Sequence, residues 1–378
     1  MNDASDTLPG LDEAVRAARA MAPRLAARAR ETEALRRMPE ETLAEFRAAG
    51  FYRMCAPVAK GGWGLDVETA IRVSFELSQG CASSGWAAAQ IGFEAIMVQG
   101  FPQAAQDEYW APGPDVGAVS GNALLGGTVE PVEGGLRIRD GRWKFASGAD
   151  QADWLILTQP MRGGTDMVLV PRADFAIEDD WHVIGLKGTG SKQVTIADAF
   201  VPAHRIAPLS RIRSHAMSIW ILGAIAWGAA LGAHRDFVSI LRERRSSKDL
   251  TRPAQRDGVQ LALARSGVEL DCCAMLFERN LALFRKAEGE GRELSAEEGL
   301  IVARDCSYVC ELAYRGTQSL FDEYGSSVIY DDVPIQRALR DIMAATRHGR
   351  VAWHLNGKKY GMWRLGLLSD LPPPADPA

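Results

Sequence analysis

Apolar residues recur at helical spacing from the start of the chain. Leu11, Val15, Ala18, Ala22, Leu25 and Ala29 mark one face of a helix over 11–29, which Pro23 is expected to kink or split. Pro39-Glu40-Glu41 announces a second helix, its acids suited to the positive N-terminal end, that stops at Gly50. After a glycine-rich connector at 60–65, Asp66 caps a helix running towards Gly80. Cys81-Ala82-Ser83-Ser84-Gly85-Trp86 opens another, to about Val98.

The period changes after Pro112. Short β-branched or alternating runs at 128–132, 136–139, 154–158, 167–170 and 193–196 are separated by Gly, Asp and Pro, predicting a small antiparallel barrel or sandwich. Beyond Pro208 the helical period returns. A Gly- and Ala-rich helix covers 219–243, and a long amphipathic one covers 257–286. A third follows the capping box Ser295/Glu298 to about Glu323, and a fourth starts at Pro334 and carries Arg340-Asp341 and His348. The expected fold is therefore α+β. A helical domain (1–112) and a β domain (113–208) precede a four-helix bundle (209–378) ending in the tail Pro372-Pro373-Pro374.

Composition narrows the function. The 378 residues are 47 % apolar and 24 % charged, with a net charge of −5, as in a globular protein of two or three domains or one multilayered unit. No basic stripe interleaved with aromatics appears, so nucleic acid is not an expected partner. The longest apolar run, 219–231, is shorter than the roughly 20 residues of a membrane span, and the acidic start does not resemble a signal peptide. A cytoplasmic location without a membrane partner is expected. Cys55, Cys81, Cys272, Cys273, Cys306 and Cys310 lack metal-ligand spacing and read as reduced core thiols, with no metal site.

The stretch Gly141-Arg142-Trp143-Lys144-Phe145-Ala146-Ser147-Gly148, with Trp154, places a hydroxyl between an aromatic and a glycine. Such a hydroxyl offers a directed hydrogen bond to a planar ligand; the alternative is a β-turn with an outward serine. This stretch is one of four motifs. The others are Cys81 to Trp86, Gly185-Leu186-Lys187-Gly188-Thr189-Gly190-Ser191, and Pro334 through Arg337 and Arg340-Asp341 to His348. Together they resemble the acyl-CoA dehydrogenase fold. At residue level they are closer to the oxygenase components of two-component flavin monooxygenases, such as those acting on 4-hydroxyphenylacetate, secosteroids and dibenzothiophene.

The resemblance implies that reduced flavin, FADH2 or FMNH2, reacts with O2 to give a C4a-hydroperoxide that oxygenates an aromatic or polycyclic small molecule, free or as a thioester. No Gly-x-Gly-x-x-Gly fingerprint for nicotinamide dinucleotide occurs, so a separate NAD(P)H:flavin reductase is the implied partner. A homotetramer is implied as well. By the same resemblance Ser147 would steady the peroxide or the adjacent ring nitrogen, and His348, preferred over His354, would be the general acid or base. Trp86, Ser120, Asn122, Phe145 and Ala146 would surround the flavin. Arg244 would reach the flavin phosphate of a neighbouring subunit, and Gly325-Ser326 matches another cofactor-side turn. His182, His204, His215 and His234 lack matching context and read as structural. Ser147 and His348 should face one pocket.

Three departures qualify this likeness. The glutamate base of classical acyl-CoA dehydrogenases would fall at Gly349, and no Glu follows Glu323. Several relatives carry a substrate-holding histidine after the Ser-Gly-Trp element, whereas here Gln90 or Glu94 would stand in. Ser246-Ser247 replaces an aromatic-glycine pair after Arg244, leaving FMN or FAD open. The alternatives are an acyl-CoA dehydrogenase or oxidase-like enzyme, an oxygenase of an aromatic thioester, and a non-catalytic oligomeric binding protein.

Overall fold

The computed structural model describes residues 8–161, 163–245, 252–368 and 371. Ser246-Ser247 and the proline tail lie outside the described residues. Helix α1 (Leu11–Leu35) is continuous: Pro23 sits on its exposed face, where water can serve the carbonyl left without a donor. Helices α2 (Glu40–Ala48), α3 (Val67–Ser78) and α4 (Ala82–Val98) follow, and the Asp66 carboxylate accepts the Thr69 N–H at 3.2 Å to cap α3. A short α5 (Gln103–Tyr109), unforeseen because seven residues show no clear period, leads into the strands.

Those strands are β1 (Ala118–Gly121), β2 (Ala123–Val132), β3 (Gly135–Ala146), β4 (Trp154–Met161), β5 (Gly164–Pro171), β6 (Ala176–Glu178), β7 (Lys192–Pro202) and β8 (Ile206–Pro208). They form two sheets, ordered β1-β4-β5-β8 and β2-β3-β7-β6, so the sandwich is realised and the barrel is not. Trp143, Leu155, Val170, Val194 and Ile196 share the core between them. One pair breaks the antiparallel expectation: β1 runs parallel to β4, with Ala118 opposite Trp154. A β-bulge interrupts the β3–β7 pairing between Trp143 and Ala146, which re-aims the chain just before Ser147.

Among the described residues five α-helices follow instead of the expected four: α6 (Trp220–Glu243), α7 (Asp257–Gly289), α8 (Ala296–Tyr324), α9 (Pro334–Ala345) and α10 (Trp353–Arg364). The Ser295/Glu298 capping box forms as its spacing predicts. By length and composition α6 could cross a membrane, yet 83 % of its most apolar window is buried inside the protein. Its glycines explain the tight packing: a Cβ on Gly232 would lie 2.2 Å from the Gln79 carbonyl oxygen at the end of α3.

The last bundle element corrects the sequence expectation that matters most. His348 is not on a helix. Helix α9 ends at Ala345, and the His348 ring caps a 3-10 turn (Gly349–Val351) by accepting the Arg350 N–H on Nδ1 at 3.2 Å. His354 belongs to the separate α10, so no helical phase relates the two histidines.

Candidate active site

Ser147 leaves the bulge into a turn closed by Gly148, whose N–H donates to the Thr189 carbonyl at 2.8 Å and whose φ of 85° suits glycine. Its hydroxyl is 2.8 Å from that of Ser191, which is 2.7 Å from that of Thr189, which donates to the Leu186 carbonyl at 2.9 Å. The Leu186 N–H in turn donates to the Asp341 carboxylate of α9 at 2.6 Å. Burial raises the Asp341 pKa to about 6. The 185–191 motif thus joins the Ser147 turn to the helix that precedes His348. Gly185 permits the junction, because an added Cβ would lie 2.0 Å from the Arg340 carbonyl oxygen. Gly185→Ala should therefore cost about 2 kcal/mol of stability, read by denaturant unfolding.

A narrow cleft with about 10 Å3 of free volume lies at Ser147, walled by Tyr52, Val119 and, from α4, Ala87, Gln90 and Ile91. On the preceding position of α4, Trp86 turns its ring towards His348, with ring centres 6.1 Å apart. The Trp86 indole N–H is buried without an acceptor. His348 lines neither this cleft nor the cavity of about 550 Å3 beside β5, so neither of these is the shared pocket expected for Ser147 and His348. One helix turn, 86–90, connects them instead.

Burial holds the His348 ring down at about 4, and the Arg350 guanidinium adds to the effect. The ring is therefore neutral near pH 7. With Nδ1 accepting a backbone N–H, the ring proton sits on Nε2, so His348 offers a donor, not a base, to its surroundings. Arg350 is itself buried among polar groups: its guanidinium donates to the Ser218 hydroxyl and the His215 carbonyl, both at 3.0 Å. Sequence reading placed His215 among structural residues. It lines the 550 Å3 cavity, its ring centre lies 6.5 Å from that of Phe93 on α4, and burial lowers its pKa to about 4. Neither Arg350 nor His215 carried a sequence signal, since each lies in a 3-10 turn without periodicity.

A buried acid lies one turn along α4 from Gln90. Glu94 of α4 is fully buried, accepts the Ser120 hydroxyl of β1 and the Gln90 amide (2.8 Å) on Oε1, and has no partner on Oε2. Burial raises its pKa to about 7, against the opposing pull of those two hydrogen bonds. Asn122, just past β1, accepts the Thr158 hydroxyl at 2.7 Å. Ala146 is buried. Phe145 is 60 % exposed at a left-handed φ of 65°, a strained aromatic whose ring packs edge-on against Trp181.

Arg244, Gly325 and Ser326 form a second cluster. The Arg244 guanidinium donates to the Tyr324 carbonyl at 3.0 Å and the Ser327 hydroxyl at 2.7 Å, on either side of the Gly325-Ser326 turn. Among the described residues no hydrogen bond or ring contact links this cluster to Ser147.

A cleft between a β-sandwich and N-terminal helices, with a helical bundle following in the chain, is the arrangement of the acyl-CoA dehydrogenase fold. Residues 11–114 match the acyl-CoA dehydrogenase N-terminal domain, and residues 220–353 match the C-terminal domain. The FADH(2)-dependent resorcinol hydroxylase oxygenase component of Rhizobium sp. (strain MTP-10005) is 32 % identical, with 90 % of each chain aligned. The flavin-dependent monooxygenase oxygenase subunit HsaA of Rhodococcus jostii (strain RHA1) is 29 % identical over 92 % of this chain and 97 % of that one. Among solved structures, XiaF from Streptomyces sp. in complex with FADH2 and glycerol superposes with a TM-score of 0.87 at 26 % identity, covering 96 % and 98 % of the two chains. The chain belongs to the acyl-CoA dehydrogenase-fold family of flavin-dependent oxygenase components.

Proposed function

We propose that this protein is the oxygenase component of a two-component monooxygenase, using reduced flavin and O2 to oxygenate an aromatic small molecule, with a separate NAD(P)H:flavin reductase. The observation that carries this reading is the neutral His348 ring against Trp86, on the helix turn that also walls the Ser147 cleft. The thioester-dehydrogenase alternative lacks the usual base at this position, since Gly349 has no side chain. Reduced flavin supplies the two electrons that activate O2.

The residues suit such a ring. Ser147 and the Trp86 indole offer directed polar atoms, and the strained residue Phe145 offers an aromatic edge. His348 donates from Nε2 towards oxygen. The partnerless Oε2 of Glu94 is a further polar atom that would meet a substrate hydroxyl, and the apolar length of α4 keeps water out. Assembly as a homotetramer is part of the proposal. Exposed Leu261, Val268 and Met275 recur every seven residues along α7, a stripe suited to a second copy, and Arg244 would serve a neighbour's cofactor.

The test supplies dithionite-reduced FAD or FMN, 18O2 and a panel of phenols, indoles and their thioesters, without a reductase. One 18O atom in product is expected. Flavin bleaching by an acyl thioester, or no flavin binding in either redox state, rejects the reading. Ser147→Ala should raise hydrogen peroxide release and lower product per flavin oxidised about tenfold, measured by peroxide assay beside product quantification.

A further inference from the structure

We infer that Ser191 and Thr189 are positioning residues whose hydroxyl relay locks Ser147 as a hydrogen-bond acceptor, so that the site selects reduced over oxidised flavin. The inference rests on flavin binding at Ser147, as proposed above.

Counting hydrogens fixes the polarity. Four oxygens stand in a row: the Leu186 carbonyl, then the hydroxyls of Thr189, Ser191 and Ser147, at successive distances of 2.9, 2.7 and 2.8 Å. Each contact is too short for two facing lone pairs, so each must hold one hydrogen. Three hydroxyl hydrogens serve three contacts, and the carbonyl has none to give. Every hydrogen therefore points towards Leu186. Thr189 donates to the carbonyl, Ser191 to Thr189 and Ser147 to Ser191. Ser147 keeps only lone pairs for the cleft it lines.

The chain has no freedom to reverse. All three hydroxyl-bearing residues are buried, at 7 %, 5 % and 3 % exposure for Ser147, Ser191 and Thr189, so water does not compete for these hydrogens. Its anchor is rigid too: the Leu186 carbonyl also accepts the Thr189 backbone N–H at 3.1 Å and the Trp181 indole N–H at 3.2 Å, and the Leu186 N–H is held by Asp341. A flavin ring presents N5 as an N–H donor when reduced and as a bare acceptor when oxidised. An acceptor-only Ser147 matches the first and opposes the second. A lone serine would rotate and serve both. Such discrimination suits a component that takes reduced flavin from solution and releases the oxidised form.

The experiment measures anaerobic dissociation constants for FAD and for dithionite-reduced FAD, together with the midpoint potential of the bound flavin. The wild type should bind the reduced form at least about tenfold tighter. Ser191→Ala removes the acceptor that engages the Ser147 hydrogen, so the preference should fall about tenfold. That change lowers the bound midpoint potential by about 30 mV for two electrons. Thr189→Val, which removes the terminal donor while keeping shape, should move the ratio the same way. Ser191→Thr, retaining the hydroxyl, should restore it. Equal affinities for both redox forms in the wild type, or a ratio unchanged in folded Ser191→Ala and Thr189→Val, overturn the relay while leaving flavin binding intact. Failure of the wild type to bind either form removes the functional reading itself.

Discussion

His348→Ala is expected to lower the rate of product formation about a hundredfold while changing the affinity for reduced flavin less than about threefold. The ring sits against Trp86, whereas the Ser147 relay lies on the other side of the same helix turn, so removing the imidazole leaves the relay untouched. The loss falls on oxygen transfer because Nε2 holds the proton there. His348→Asn separates chemistry from folding: asparagine is a good cap for the Arg350 N–H but cannot carry a donor as far as the imidazole edge. It should unfold like the wild type and be nearly as slow as alanine. Since the His348 pKa is depressed to about 4, the imidazole charges only as the pH falls through that value. Rate measurements between about pH 6 and 8 should show no inflection that the alanine variant abolishes. Such an inflection near the ordinary histidine value would show that the ring titrates as a base, and would overturn the donor role.

The frame of the molecule was legible because it is written in local rules. Asp66 and Ser295 cap where their spacing says, and the switch from period 3.6 to alternation and back marks the β-sandwich. What escaped was non-local. Strand β1 is four residues long and finds its parallel partner β4 more than thirty residues later, a pairing no local pattern announces. The end of α9 before His348 was hidden because helical-looking residues continue through Arg347, and the side-chain cap that stops them depends on the ring's final position.

The site divides in the same way. Ser147, Trp86 and His348 were singled out by motifs, and the fold places His348 beside Trp86 and Ser147 beside the neighbouring Ala87. Ser191 was quoted within a motif, but its role depends on lying 2.8 Å from a hydroxyl 44 positions away, which is set by the β3 bulge and the 185–191 loop. His215 and Arg350 meet across two 3-10 turns and left no trace in any period. Glu94 was the exception: a single acid within the otherwise uncharged α4 is a conspicuous residue, and the structure shows it buried.

That acid carries the second large expectation. Glu94→Gln should stabilise the protein most above about pH 7 and leave it nearly unchanged at about pH 4. Burial raises the Glu94 pKa to about 7 in the folded protein, from an ordinary glutamate value of 4.5. Below the lower value both states hold the proton and nothing changes with pH. Between the two values the folded protein keeps a proton that the unfolded chain has released, so stability falls as pH rises, and it levels off once the folded group has ionised. The stability lost across this window is on the order of 3 kcal/mol, an upper figure for one carboxyl. Glutamine keeps the acceptor for the Ser120 hydroxyl and the Gln90 amide but has no proton to lose. Asp341 shares part of the window, with its folded value near 6, so the informative quantity is the difference between wild type and variant, which cancels it. Thermal unfolding from about pH 4 to 8.5 should show curves that lie close together at about pH 4, separate between about pH 4.5 and 7 and stay a constant distance apart above that, with glutamine the more stable. An inflection near pH 7 in the wild-type rate should vanish in the same variant, assigning it to Glu94 and not to His348. Parallel unfolding curves across the whole range would mean that this carboxyl is hydrated and ionised in the folded protein, and that the wall between α4 and β1 is open to water.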